Sequence, residues 1–267
     1  MTAAIRTTTI KPQQNRKCLF ALLLSLFSFI AQTEEQHSHP PLISIVIDDI
    51  GDKLHAGKAV ISLKGDIVCS IFPQDKYSQQ LAKLAQKSGK EIILHLPMES
   101  EARLRLNAGG LYLDMTKEQF TQTVNEDIDL LPQISGINNH MGSLLTRHPG
   151  HMQWLMEIIA THDGLYFLDS RTTPLTVAEQ IAIENHIANT RRDVFLDHDV
   201  NDKAIRYQFA RLIRLAKKNG HAVAIGHPHK QTIQVLKEEL SRLDSYGVRL
   251  VKLSALIKAI GSESDEK

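Results

Sequence analysis

The chain has 267 residues, 42% of them hydrophobic and 23% charged, a balance that excludes collagen-like, low-complexity and disordered readings. Lys and Arg total 31 against 30 Asp and Glu, a net charge of +1, too even for a protein built to bind a polyanion, so no nucleic-acid partner is expected. The length suits one α/β domain.

In chain order, Arg6, Lys11, Arg16 and Lys17 precede an uncharged apolar run from Cys18 to Ala31. This is the layout of a secretory signal peptide, since the run falls short of the roughly 20 residues of a membrane-spanning helix; an uncleaved signal anchor is the alternative. The protein is therefore expected to be exported, periplasmic or in the cell envelope, with membrane contact only through this segment if it is uncleaved. Residues 1–31 carry four basic and no acidic residues, so their removal leaves 27 basic against 30 acidic, a charge of −3. A polar spacer over 32–42 leads into a domain over 43–260, followed by a polar tail at 261–267.

Short apolar runs predict strands at Ile43–Ile47, Ile67–Phe72, Glu91–Leu96, Gly136–Asn139, Leu165–Leu168, Val194–Leu196, Ala222–Ile225 and Arg249–Leu253. Apolar residues at three- and four-residue spacing predict helices over Tyr77–Ser88, Lys117–Leu131, His151–His162, Asn201–Asn219 and Thr232–Ser245. Thr116 with Gln119 reads as a capping box, Gly89 and Gly220 as helix ends, and Asp163-Gly164 and Tyr246-Gly247 as turns. Strand–helix alternation of this kind is the βαβ signature, and ligands of such folds gather at the carboxyl ends of the strands. Cys69, within an apolar run, is read as packing.

The predicted strand ends are rich in ligand-type residues: Asp48-Asp49, His95 through Glu99, Asn138-Asn139-His140, Asp169-Ser170-Arg171, Asp197-His198-Asp199 and His227-Pro228-His229. Adjacent acids at the end of a buried strand demand a cation or a basic partner. Asp49 with His95 and His140 makes a three-ligand set able to hold Zn²⁺ and leave a position for water. Consecutive residues leave a strand on opposite sides, so one acid of the pair is expected to face the metal and the other to act as a base. A general acid would come from His227, with His229 the competing choice. Asp169 and Arg171 either orient these groups, bind a substrate or pair with each other, and Asp197 either builds a local turn or supports the site. His37, His39, His148, His151, His162 and His186 are read as surface or packing residues, and Arg191-Arg192 as a solvated loop face. No Gly-x-Ser-x-Gly turn or phosphate-binding Gly-x-x-x-x-Gly-Lys loop occurs, which argues against a serine hydrolase and against a nucleotide ligand.

Ile47-Asp48-Asp49-Ile50-Gly51, His95-Leu96-Pro97-Met98-Glu99, Asn138-Asn139-His140-Met141-Gly142 and the late His227 resemble the motifs of the NodB-homology polysaccharide deacetylases, and within them the divergent polysaccharide deacetylase family. The resemblance spans about Ile43 to Ile257. It implies a distorted (β/α) barrel and removal of N-acetyl or O-acetyl groups from a cell-envelope carbohydrate, with Asp48 as base, Asp49 as metal ligand and His227 as acid. In that chemistry Zn²⁺ polarises the acetamide carbonyl and a water, Asp48 takes the water proton and His227 protonates the leaving amine. The chain departs from the superfamily pattern where a second metal-binding histidine is usual: Glu99 stands one helical turn after His95. That departure keeps a second expectation open, a catalytically weak or inactive glycan-binding or envelope-partner protein on the same fold.

Overall fold

The computed structural model describes residues 40–131 and 133–265, besides the isolated positions 4 and 9. The apolar leader, His37 and His39 lie outside the described residues. From residue 42 the chain alternates β1 (Leu42–Ile50), α1 (Leu54–Ile61), β2 (Val68–Ile71), α2 (Ser78–Lys87), β3 (Glu91–Met98) and α3 (Lys117–Leu130). It continues with β4 (Gly136–Met141), α4 (Pro149–Ala160), β5 (Tyr166–Asp169), α5 (Ala178–Glu184), β6 (Asn189–Arg191) and β7 (Val194–Phe195). Last come α6 (Asp202–Asn219), β8 (His221–Gly226), α7 (Lys230–Leu240), β9 (Arg249–Leu250) and α8 (Leu253–Asp265).

The strands run in the order β6-β5-β4-β3-β2-β1-β8-β7, every pair parallel, with β9 beside the start of β1. The two edge strands are consecutive in the chain. Arg192 N–H donates to the Asp169 carbonyl at the end of β5, and Asp193 N–H donates to the Val223 carbonyl of β8. One run, 189–195, thus spans the seam of a curled sheet without closing it by a ladder. The result is the distorted (β/α) barrel expected from the sequence.

Alternation along the strands sorts the core into two layers. Ile43, Ile45, Ile47, Cys69, Leu94, Ile137 and Phe167 face outward under the helices. Val46, Val68, Ile93, Tyr166, Leu168, Val223 and Ile225 point inward, where Leu253, Leu256 and Ile257 of α8 cover them. The inward stripe then turns polar toward the carboxyl ends of the strands, and that change of chemistry places the site.

Local signals explain the boundaries. Thr116 and Gln119 make the reciprocal bonds of a capping box at α3, and Gly220 ends α6 in the left-handed region at φ 82°. Gly136 has no room for a side chain: an added Cβ would lie 2.5 Å from the Tyr166 ring. The sequence pattern missed α1, α5, β6 and α8, and it ran one helix through Ser245 where α7 stops at Leu240 and a 3₁₀ turn, Leu243–Tyr246, follows. Residues 253–265, read partly as strand and polar tail, form the helix that covers the base of the barrel.

Candidate metal centre and active site

Asp48 continues the inward parity of Ser44 and Val46 on β1, and it is buried. By alternation Asp49 would point outward to the helices. Instead its backbone is left-handed at φ 56°, at a break in the β1–β2 register between Ile47 and Ile50. Both acids consequently reach one site. Parity also puts His95 of β3 and Asn138 and His140 of β4 on the inner face.

Three donor atoms converge there. His95 Nε2 lies 3.1 Å from Asp49 Oδ1 and 3.1 Å from His140 Nδ1, and His140 Nδ1 lies 3.1 Å from Asp49 Oδ1. Tetrahedral ligands on Zn²⁺ bonds of about 2.0 Å sit about 3.3 Å apart, so this near-equilateral triangle has the size of a ligand face. The donor set, two imidazoles and a carboxylate, fits a divalent transition ion.

Asn138, to which the sequence assigns no role beyond its place at a strand end, orients the centre. Its Oδ1 accepts from Ser70 Oγ at 2.8 Å and pairs with His95 Nδ1 at 2.8 Å, while its Nδ2 donates to Asp48 Oδ1 at 2.9 Å and to Ser170 Oγ at 3.2 Å. Because the amide nitrogen is committed to Asp48, the oxygen faces His95, which fixes Nδ1 as the protonated nitrogen and aims Nε2 at the convergence point. Phe72 packs its ring against both imidazoles, with centroids 4.9 Å from His95 and 4.8 Å from His140. Position parity with His140 is the signal that could have identified Asn138.

The electrostatics concentrate positive charge at the same point. Burial works against ionisation of Asp49, but the hydrogen bonds from His140 and His95 and their charge outweigh it and hold its carboxyl far below the usual range. Burial likewise opposes charge on His95, and the negative charge of Asp48 with the bond to Asp49 overcomes it and raises its pKa. A divalent ion bound by these groups meets that demand.

His227 follows the inner stripe beyond Ile225 and stands on the opposite wall, Nε2 4.0 Å from Asp49 Oδ2. Asp197 grips it twice, through Nδ1 to Oδ1 at 2.9 Å and the His227 N–H to Oδ2 at 2.6 Å, and Thr232 Oγ1 donates to that same Oδ2 at 2.7 Å. Burial lowers the His227 pKa, but the Asp197 hydrogen bond and the nearby carboxylates raise it to about 9. Burial raises Asp197 and the bonds from His227 more than reverse it, leaving its pKa lowered. His229 is exposed and caps α7 by position, its ring 6.0 Å from that of His227. Asp197, His227 and His229 could also surround a cation, but both Asp197 oxygens are already engaged. Of the two competing histidines, His227 is the one directed at Asp49.

The remaining candidates take other roles. Glu99 Oε2 accepts from Leu113 N–H at 2.8 Å and holds the loop after β3, away from the donor triangle. Asn139 borders the cavity but uses its amide on Ser170 N–H and the Met141 carbonyl. Asp169 is buried, forms no ion pair with the Arg171 side chain, and accepts from the Arg171 N–H at 2.8 Å and from Thr176 Oγ1 at 2.9 Å. Burial outweighs those bonds and raises its pKa. Arg191 pairs with Glu179 on the surface as expected, whereas Arg192, expected to be solvated too, is half-buried in the cavity wall. The reason is the seam: β6 ends at Arg191, and strand alternation turns the next side chain inward.

Two adjoining depressions meet at His140 and His227. One, of about 360 Å³, is lined by Asp49, Asp52, Lys53, Asp75 and Asn107 among others; the second, of about 320 Å³, includes Asp48, Arg171, Arg192 and His198.

Comparison with known proteins gives one family and one shared fold. Residues 45–257 match the family model described as divergent polysaccharide deacetylase. The uncharacterized protein YibQ of Escherichia coli K12 is 34% identical over 246 residues, covering 92% of this chain and 74% of its own. The solved structure of the uncharacterized protein ATU2773 of Agrobacterium tumefaciens superposes with a TM-score of 0.78 at 20% identity, over 82% of this chain and 90% of that one. The peptidoglycan deacetylase PdaC of Bacillus subtilis shares the fold at a TM-score of 0.53 and 10% identity, covering 85% and 94% of the two chains. So does BA3943 of Bacillus anthracis, described as a pseudoenzyme of the CE4 family, at 0.52 and 10% identity over 83% and 66%.

Proposed function

The chain belongs to the divergent polysaccharide deacetylase family, and from that premise we propose that it is an exported, Zn²⁺-dependent hydrolase removing N-acetyl or O-acetyl groups from a cell-envelope carbohydrate. The observation that carries this reading is the 3.1 Å triangle of Asp49, His95 and His140 flanked by Asp48 and by the Asp197-held His227. When bound, a divalent ion in that triangle supplies Lewis acidity toward an acyl oxygen and makes a water easier to deprotonate.

The chain's own residues supply the proton transfers. Asn138 holds one oxygen of Asp48, and the other takes a proton from the attacking water. His227 donates its Nδ1 proton to a hydrogen bond with Asp197 and presents Nε2 to the cavity, and that bond favours the protonated imidazole that the departing amine requires. The acyl–nitrogen bond breaks as that proton arrives, the water oxygen stays on the acyl carbon, and acetate and a free amino sugar leave. In the ester case the proton goes to the sugar oxygen.

Elemental analysis joined to an acetate-release assay on N-acetylated envelope glycans tests the reading. About one metal per chain is expected in the native protein and in Asp48→Asn, none in Asp49→Ala, with release falling by about 10² to 10⁴ in Asp48→Asn. Full activity in Asp48→Asn would overturn the base assignment. A native protein that holds no metal after reconstitution supports instead an inactive glycan-binding or envelope-partner protein, a reading favoured by Glu99 standing where a second imidazole is usual. Export predicts a mature N-terminus beyond the apolar run; recovery of Met1 or residue 2 on the exported protein points to an anchor.

A further inference from the structure

The 320 Å³ depression carries more positive charge than an acetamide or a neutral sugar uses. Arg171 and Arg192 line it against a single lining carboxylate, Asp48. Among the described residues arginine–carboxylate pairs belong to Arg147, Arg191 and Arg206, and to neither Arg171 nor Arg192.

Both arginines are held in place by bonds to neutral groups or through the backbone, with no carboxylate in ion-pair contact with either side chain. Arg192 Nε donates to the Ser170 carbonyl at 2.7 Å and an Nη donates to the Arg171 carbonyl at 2.8 Å, with the guanidinium 5.1 Å above the Phe195 ring. Arg171 sits in the left-handed region at φ 47°, an unfavourable conformation for a side chain of this kind that persists only where the surroundings impose it. Here they do: Arg171 N–H is bound to Asp169, its carbonyl to Arg192, Ser170 N–H to Asn139, and Thr172 Oγ1 to the Met141 carbonyl. The strained segment is a rigid mount for an exposed guanidinium beside the donor triangle. Burial and the like charge of Arg171 together push the Arg192 guanidinium below its ordinary range, with Asp48 and Asp169 opposing. Like charges on one partly buried wall are relieved by an anion between them.

We propose that Arg171 and Arg192 form an anion-recognising subsite of this centre, so that the preferred glycan carries a carboxylate or phosphate group next to the sugar that bears the acyl group. The subsite deepens the hydrolase reading and relies on it for turnover alone, since recognition can be read without catalysis.

The test uses the full chain loaded with metal and three N-acetylated oligosaccharides of equal length: neutral, carboxylate-bearing and phosphate-bearing. Calorimetry on Asp48→Asn, in which turnover is disabled, is expected to give at least one anionic glycan about tenfold tighter binding than the neutral one. That advantage should shrink with added salt, survive in Arg171→Lys and vanish in Arg171→Glu, a change at an exposed side chain whose folding is checked by its melting temperature. The larger of the two anionic advantages identifies the source. Equal binding of all three glycans, no binding of either anionic one, or an advantage that Arg171→Glu leaves intact overturns the subsite. In parallel, Arg171→Glu in the otherwise native chain should lower kcat/KM about tenfold more for the preferred anionic glycan than for the neutral one. If the native chain hydrolyses none of them, the hydrolase reading fails while the binding comparison still decides the subsite.

Discussion

At Asp49 a single backbone angle turns a side chain that alternation would send under the helices back over the strand ends. Left-handed backbone costs a non-glycine residue on the order of 1 kcal/mol, and the same conformation recurs at Met141 and Arg171, on the rim of the same site. Three of the six non-glycine residues with positive φ among the described residues thus border one site. The candidate acids and histidines were legible as residue types at strand ends, but the role of Asn138 was not, because it lies in which neighbours its amide meets. Asp127 shows a different residue-scale effect. Its Oδ1 accepts from Gln74 at 2.8 Å, its Oδ2 is buried without a partner, and its carboxyl abuts Gly109. Burial raises its pKa to about 7 despite the Gln74 bond. Between about pH 4 and pH 7 the folded chain therefore keeps a proton that the unfolded chain has lost, so stability falls as pH rises through that window and levels off above it. Asp127→Asn is expected to flatten this slope and to stabilise the protein by up to about 4 kcal/mol near pH 8, read from denaturant midpoints against pH; an unchanged slope would refute the assignment.

At the scale of elements, α8 shows how a helix can be hidden in plain composition. Leu253, Leu256, Ile257 and Ile260 have helical spacing, yet the preceding Arg249–Leu250 is strand and the following residues are polar, so the pattern reads as strand and tail. What makes it a helix is the apolar interior beneath it and a buried acid at its start. Glu91, at the first position of β3, accepts from Leu253 N–H at 2.6 Å and from Ser254 N–H at 3.2 Å. A carboxylate at a helix N-terminus meets the unpaired N–H groups and the positive end of the dipole together. Glu91→Ala leaves the buried Leu253 N–H unpaired, and a loss of about 1–3 kcal/mol is expected in urea unfolding; a loss under about 0.5 kcal/mol would mean that α8 is held by its apolar contacts alone. The capping box at Thr116 was legible in advance because both partners lie within one turn of chain, whereas the Glu91 cap joins residues 162 positions apart.

At the scale of the whole molecule, the curled sheet brings ends of β1, β3, β4 and the segment after β8 to one rim. A metal bound there links three strands and binds the folded state in preference to the unfolded chain, so it should stabilise the fold by about 2.7 kcal/mol at a hundredfold excess over Kd. Thermal melts with Zn²⁺ and with a chelator should differ accordingly in the native protein and coincide in Asp49→Ala; a native protein indifferent to both contradicts a shared site. The amino-acid sequence by itself determined the βαβ alternation, the two-layered burial of the strands and the clustering of acids and imidazoles at their ends, since each follows from periodicity and local composition. Only the tertiary structure decided how those groups meet. The left-handed turn at Asp49, the seam that drives Arg192 inward and the Asn138 hub depend on register between strands far apart in the chain, and register is a property of the assembled sheet that no local pattern encodes.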